Sequence, residues 1–341
     1  MFLRNLWYFA LPGGKLRRGC VVKRTLLGEQ ILIGRAGDGT PFALLDVCPH
    51  RGMPLSYGHF DGREIECCYH GWRFDTRGTC VEIPSLVEEQ RKKINLSKIC
   101  VSRFACREVQ GNIWIYFGDD EENMPSIPEV PQVTAEHYQI AETMEFPSDV
   151  DHAVVGLMDP AHGPFVHRSW WWRSRASIHE KEKRFEPSYL GFRMLRHRPS
   201  SNSRAYRVLG GAPETEISFQ LPGVRIEHVQ TGQHVFCGLT AVTPVSGRRT
   251  LVNHVIYWTM PWLSALRPLI RPFARAFLNQ DRRVVARQQE GLARNPRLML
   301  INDADMQARW YYRLKTAFED AQTKGCAFEN PVEPTTLRWR S

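Results

Sequence analysis

The segment VCPHRGMPLSYGHFDGREIECCYHGWRFDTRGTC, Val47 to Cys80, is the one around which the rest of the chain is organised. It opens on Cys48-Pro49-His50 and later presents Cys67-Cys68-Tyr69-His70-Gly71-Trp72. Sixteen residues separate His50 from Cys67, and each arm runs into a glycine, Gly52 or Gly71. Two thiols and two imidazoles in two short arms read as a metal site.

Two metals fit that inventory. Structural zinc uses Cys and His, but usually places like residues together in each arm. Here each arm offers one thiolate and one imidazole, which suits a Rieske [2Fe–2S] cluster: two Cys hold one iron and two His the other. The spacing before His70 makes Cys67 the ligand of the second arm, and Cys68 reads as a small buried neighbour. The glycines let backbone N–H groups approach the bridging sulfides, where hydrogen bonds tune the potential.

The chain has 341 residues, 43% hydrophobic and 24% charged, which is an ordinary globular composition with room for two domains. No apolar run approaches the eighteen or so residues of a spanning helix, and MFLRNLWYFALPGGKL lacks the features of a signal peptide. The expected setting is the cytoplasm. Nine cysteines, an odd number, argue for reduced thiols and against a disulfide framework. The net charge of +9 could serve an acidic partner, but no zinc finger, helix-turn-helix or basic–aromatic signature points to nucleic acid.

Residues 1–122 read as short strands and turns. Gln30–Gly34 and Phe42–Leu45 are apolar runs joined by Gly37-Asp38-Gly39, and Ile113–Phe117 is a β-branched and aromatic run. Residues 123–132, with Pro125, Pro128 and Pro131, suit an extended linker. Within 133–341 a helix is expected over Asp149–Val155, broken at Asp159-Pro160. Strands follow over Glu216–Leu221, His234–Val242 and Thr250–Trp258, then a helical pattern from Pro261 to about Phe318.

CPHRG…CCYHGWRF resembles the Rieske domain of the Rieske non-haem iron oxygenases, and Asn5-Leu6-Trp7-Tyr8 resembles that family's opening strand. Respiratory Rieske proteins typically add a disulfide-forming Cys to each arm; the first arm here has none. The resemblance implies an α+β chain, an N-terminal all-β Rieske domain followed by a helix-grip (START-like) catalytic domain. It assigns Cys48, His50, Cys67 and His70 to the cluster.

The same resemblance extends to a second motif, approximately N-x-x-D-x-x-H-x4-H, present as Gly156-Leu-Met-Asp159-Pro-Ala-His162-Gly-Pro-Phe-Val-His167. It implies His162 and His167 as ligands of a mononuclear Fe(II). The carboxylate that completes a facial triad is expected at Asp281, within Asn279-Gln280-Asp281-Arg-Arg-Val284, with Asp303 and Asp305 as rivals. On a straight helix His162 and His167 would stand about 140° apart, so Gly163-Pro164 must bend the chain. Asp159 is implied as the hydrogen-bonded bridge between a cluster His of one subunit and an iron-ligating His of the next, in a homotrimer. Gly156 replaces the motif's Asn and puts an auxiliary polar contact in doubt.

The expected activity is that of an alpha-only terminal oxygenase. It would use O₂ and electrons from a separate ferredoxin, NAD(P)H-dependent reductase or both to hydroxylate or oxidatively demethylate a hydrophobic substrate, sterol- or terpenoid-like or aromatic. The rival is a Rieske electron-transfer protein with an inactive second site. Arg51, Arg63, Arg73, Arg77 and Arg91-Lys92-Lys93 could receive an acidic donor. Residues 261–277 offer Arg267, Arg271 and Arg275 at spacing four beside large apolar residues, a candidate for peripheral contact with an inner membrane or for an amphipathic helix packed on its own domain. Trp170–Trp172 could line a pocket entrance or a subunit contact.

Overall fold

The structure, a computed structural model, describes residues 2–167, 178–199 and 212–341. They form two compact units, Phe2–Ile127 and Pro128–Ser341.

The first unit is built of three antiparallel sheets. Leu6–Pro12 pairs with Asn112–Phe117, and every residue of both strands is buried. Such aromatic and β-branched runs favour pleated backbone and pack from both faces. Cys106–Val109 adds the third strand. The second sheet runs Cys20–Leu26, Glu29–Arg35, Pro41–Leu45 and Arg103–Phe104. The expected Gly37-Asp38-Gly39 hairpin is present, with Gly39 at φ 99° and its N–H donating to the Ala36 carbonyl at 2.9 Å. The third sheet has four strands of two or three residues, His59–Phe60, Glu64–Glu66, Arg73–Asp75 and Cys80–Glu82. Elements this short gain little from their own ladder; the buried cluster of Leu55, Ile65, Phe74, Ile83 and Val101 anchors them.

The second unit is one eight-stranded antiparallel sheet with helices. Its strand order is Tyr138–Phe146, Arg249–Trp258, His234–Ser246, Val224–Thr231, Glu214–Gln220, Gly191–His197, Glu180–Ser188 and Thr335–Arg340. The helix Met306–Lys324 sets Trp310 against Phe185 and Phe192, with ring centroids 5.4 and 5.1 Å away, and Tyr311 edge-on to Phe219. A longer helix, Arg267–Leu292, runs past the other edge: Arg282 Nε donates to the Glu145 carbonyl and Gln289 Nε2 to Ser148 Oγ. A large antiparallel sheet gripping C-terminal helices is the expected architecture.

Two expectations need correction. The helical stretch from Pro261 is not continuous: Pro261–Ala265, Arg267–Leu292 and Met306–Lys324 are separate, and Asn295 and Asp303 adopt positive φ between the last two. The early helix is Val150–Met158, ending three residues later than expected; Asp149 caps it by accepting from the His152 N–H at 3.0 Å. The break at Asp159-Pro160 is where it was expected.

Candidate metal centres

The two arms of the first unit fold alike. Cys48 N–H donates to the Met53 carbonyl and Gly52 N–H to the Cys48 carbonyl, at 2.8 and 2.9 Å. Cys67 N–H donates to the Trp72 carbonyl and Gly71 N–H to the Cys67 carbonyl, again at 2.8 and 2.9 Å. Gly52 and Gly71 both have φ 72°, a left-handed turn that suits residues without a Cβ. Each turn buries its thiol and sends its imidazole outward: Cys48 and Cys67 are 1% and 2% exposed, His50 and His70 half-buried. The two imidazole rings stand 4.5 Å apart, and Trp72 stacks on His50 at 4.5 Å and 5°. Cys68, in contrast to its expected burial, is exposed.

Burial, reinforced by the neighbouring Cys67, pushes the Cys48 thiol up to about 11. A thiolate there needs a metal cation beside it. Among the described residues the four groups do not converge on one point: the one set of three or more such side chains with ligand atoms within 4.8 Å of one another lies elsewhere. Tetrahedral zinc, with bonds of about 2.0–2.3 Å, would bring them that close. A thiol pair and an imidazole pair held apart fit a two-iron cluster instead.

The converged set is His162, His167 and Asp281. His162 ends the bend after Asp159-Pro160, and the one-turn helix Gly163–Val166 carries the chain to His167. Flanking one turn, instead of riding a straight helix, brings the rings together: the two Nε2 atoms are 3.1 Å apart. Asp281 Oδ1 lies 3.1 Å from His167 Nε2 and 3.7 Å from His162 Nε2. The three atoms lie close enough together for one ion to be held by all of them, two imidazole nitrogens and a carboxylate oxygen, the donor set of a facial triad. Asp303 and Asp305 are used otherwise, accepting from the backbone N–H groups of Arg338 and Ile301.

Both imidazoles are oriented from behind. The Asp159 carbonyl holds His162 Nδ1 at 2.8 Å, and Gln280 Oε1 holds His167 Nδ1 at 2.9 Å. Each Nδ1 therefore carries the proton and each Nε2 keeps its lone pair for a metal. Phe277 stacks on the His167 ring at 3.7 Å and 12°. Burial holds His162 below the ordinary imidazole range, against the pull of Asp159 and Asp281. Gln280 and Phe277 are absent from the sequence-based assignment; their signal is position, one and four residues before Asp281 on one helix. The Asp159 carboxylate accepts from the Ala161 N–H at 2.7 Å, while its other oxygen stands 3.8 Å from His162 Nδ1.

The triad opens on a cavity of about 860 Å³. Its lining is mostly apolar, with Leu157, Met158, Phe236, Ile256 and Phe277, but Lys181, Lys183, Arg225 and Glu227 also border it, as do Thr240 and His254, whose Oγ1 and Nδ1 lie 2.8 Å apart. At Gly156 an added Cβ would meet only Val285 Cγ2, at 3.8 Å. The missing Asn of the motif thus leaves space in the cavity wall.

The basic face near the cluster loops is less available than its sequence suggests. Arg73 pairs with Asp61, Glu64 and Glu82, Arg77 with Asp75, Arg91 with Glu82 and Lys92 with Glu88. Trp170–Trp172 lie outside the described residues.

Comparison with known proteins agrees with this division. Residues 6–101 match the Rieske [2Fe-2S] domain, and residues 156–321 match the vanillate O-demethylase oxygenase C-terminal domain. Chlorophyllide a oxygenase of Chlamydomonas reinhardtii is 32% identical over 49% of this chain and 25% of its own length. The 4beta-methylsterol monooxygenase of Methylococcus capsulatus is 34% identical over 37% of this chain and 35% of its own. The chain thus spans about a third or less of these curated relatives. Among solved structures, dicamba monooxygenase bound to 3,6-dichlorosalicylic acid superposes with a TM-score of 0.77, covering 94% of this chain and 99% of that one, at 21% identity. A Rieske domain and an oxygenase C-terminal domain, carried in that order on one chain, make it a member of the Rieske non-haem iron oxygenases, among their alpha subunits.

Proposed function

We propose that this chain is the terminal oxygenase of a multicomponent system, hydroxylating or oxidatively demethylating a hydrophobic substrate. One observation carries the reading: His162, His167 and Asp281 present two imidazole nitrogens and a carboxylate oxygen to one point in the wall of a mostly apolar cavity. A pure electron carrier has no use for that juxtaposition.

Cys48, His50, Cys67 and His70 would hold the [2Fe–2S] cluster, and His162, His167 and Asp281 the mononuclear iron. When bound, the cluster supplies single electrons and the iron supplies open positions for dioxygen. The protein's own part is positional. Asp159 and Gln280 fix the protons of His162 and His167 on Nδ1 and aim both lone pairs at the metal. The apolar walls keep water from the reacting carbon and admit a sterol-, terpenoid- or arene-like substrate by shape. The Asp159 side chain would hold a cluster histidine of a neighbouring subunit, which implies a homotrimer. Reducing equivalents would come from a separate ferredoxin or NAD(P)H-dependent reductase, and the nine unpaired cysteines suit a reducing compartment such as the cytoplasm.

Iron quantitation tests the reading. The oxygenase should hold three Fe per chain and consume O₂ when a lipophilic probe is added with reductant. Two Fe per chain, with a normal cluster spectrum and no substrate-dependent O₂ uptake, would establish the electron carrier.

A further inference from the structure

The cavity is walled on one side by the helix Pro261–Ala265 and the first turns of Arg267–Leu292, through Leu263, Ile270, Ala274 and Phe277. The outer side of the same two helices is apolar as well. Trp262 lies on the first helix, Leu266 at the junction, and Leu269 and Phe273 on the second, at spacings of four, three and four; Phe273 borders the cavity as well. They are 47%, 39%, 63% and 55% exposed. Single exposed apolar residues are ordinary, but four in a row along two consecutive helices make a stripe that marks a contact surface.

Charge selects the occupant. Arg267, Arg271 and Arg275 run beside the stripe, and the sequence has no acidic residue between Glu227 and Asp281. Arg267 bonds Gln139, and Arg271 reaches the buried Glu142 at 2.6 Å, yet the Arg271 side chain stays 63% exposed. A second copy would bring its own net charge of +9 against this face. A surface that is negatively charged outside and apolar beneath matches both features, with Trp262 at the boundary where indoles collect.

We propose that the outer face of residues 261–277 docks on an anionic phospholipid bilayer, and that the helices separating bilayer from cavity form the threshold across which a lipophilic substrate enters. Docking goes beyond the oxygenase reading and does not depend on it; delivery rests on it.

Co-sedimentation of the full-length, iron-loaded protein with phosphatidylcholine vesicles, with and without about a quarter phosphatidylglycerol, tests the proposal. Partition should be at least about tenfold stronger on the anionic vesicles and should weaken with salt. Trp262→Ser with Leu269→Ser removes two exposed side chains that do not line the cavity, and should cut partition about tenfold or more while iron content and the cluster spectrum stay unchanged. Arg275→Gln should reduce the preference for anionic over neutral vesicles severalfold. Partition that is absent in the wild type, or equal in the double variant, overturns docking. So does a double variant whose mass in light scattering drops to a smaller oligomer, since the stripe would then be a subunit seam. Vesicle binding by a chain that oxidises no probe supports docking and refutes the oxygenase reading, so the two failures separate.

Discussion

Gln280 Oε1 lies 2.9 Å from Nδ1 of His167, and the next residue, Asp281, faces Nε2 of the same ring at 3.1 Å. One helical step therefore supplies both the buttress and the neighbouring candidate ligand. His167 is 3% exposed, so water cannot replace the amide. Gln280→Leu should leave a buried N–H without an acceptor and lower affinity for the mononuclear iron about 10- to 100-fold. Dialysis against a chelator should then take the chain from three Fe to two with the cluster absorption intact, whereas Gln280→Glu should keep more of its iron. Equal iron retention in Gln280→Leu and wild type would remove the buttress role.

Asp159 is placed to act without binding metal. Its carbonyl orients His162, and one carboxylate oxygen accepts from the Ala161 N–H at 2.7 Å. Asp159→Asn keeps an acceptor for that N–H and the backbone carbonyl, so both metals should remain bound. What it loses is the charge that would grip a neighbouring subunit's cluster histidine. Coupled turnover should fall about 100-fold, and stopped-flow should show the reduced cluster failing to reoxidise in the presence of O₂ and substrate. Full turnover in this variant would sink the bridge.

The candidate metal-site residues stand out in the sequence because metal chemistry restricts both residue type and spacing. Cys48-x-His50 and Cys67-x-x-His70 read as two arms, and the structure gives both the same pair of backbone hydrogen bonds around a glycine at φ 72°. Asp281 could be singled out from Asp303 and Asp305 through its helical context, and the structure brings it alone of the three to the histidines. Gln280 was not legible: an amide beside a ligand has no signature until the fold decides which ring it meets. The edge strand Thr335–Arg340 was hidden for a related reason. Only Leu337 and Trp339 face inward, and two apolar positions among charges do not declare a strand. The carboxylate partners of the basic residues near the cluster, such as Glu82 for Arg73 and Arg91, were not legible, because they arrive from a neighbouring strand. The Arg row at 267–275 was legible as a pattern, but its ties to Gln139 and Glu142 were not.

Gly156 separates helix stability from cavity shape. It sits inside Val150–Met158, where glycine costs about 0.5–1 kcal/mol relative to alanine, and a Cβ would meet only Val285 Cγ2 at 3.8 Å. Gly156→Ala should therefore raise the thermal midpoint slightly and keep all three irons. Gly156→Leu should project into the cavity, raising KM for a bulky substrate more than it lowers kcat while leaving iron content alone. Unchanged KM in the leucine variant would mean that substrate does not reach this wall.

His254 makes the second unit sensitive to acid. It lies at the cavity wall with Nδ1 2.8 Å from Thr240 Oγ1, and burial pushes its pKa from the ordinary 6.5 down to about 4. Above pH 6.5 the imidazole is neutral in both the folded and the unfolded chain. Between 6.5 and 4 the unfolded chain binds a proton that the folded one refuses, so stability falls as the pH is lowered through that window. Below about 4 both states are protonated and the loss ends. Each pH unit in the window costs up to about 1.4 kcal/mol, so moving from pH 7.5 to 5.0 removes about 2 kcal/mol. His254→Gln keeps a polar group for Thr240 and cannot titrate. Urea unfolding at the two pH values, followed by release of the mononuclear iron, should show the wild type losing about 2 kcal/mol more than the variant. Identical losses would place the acid sensitivity in another group.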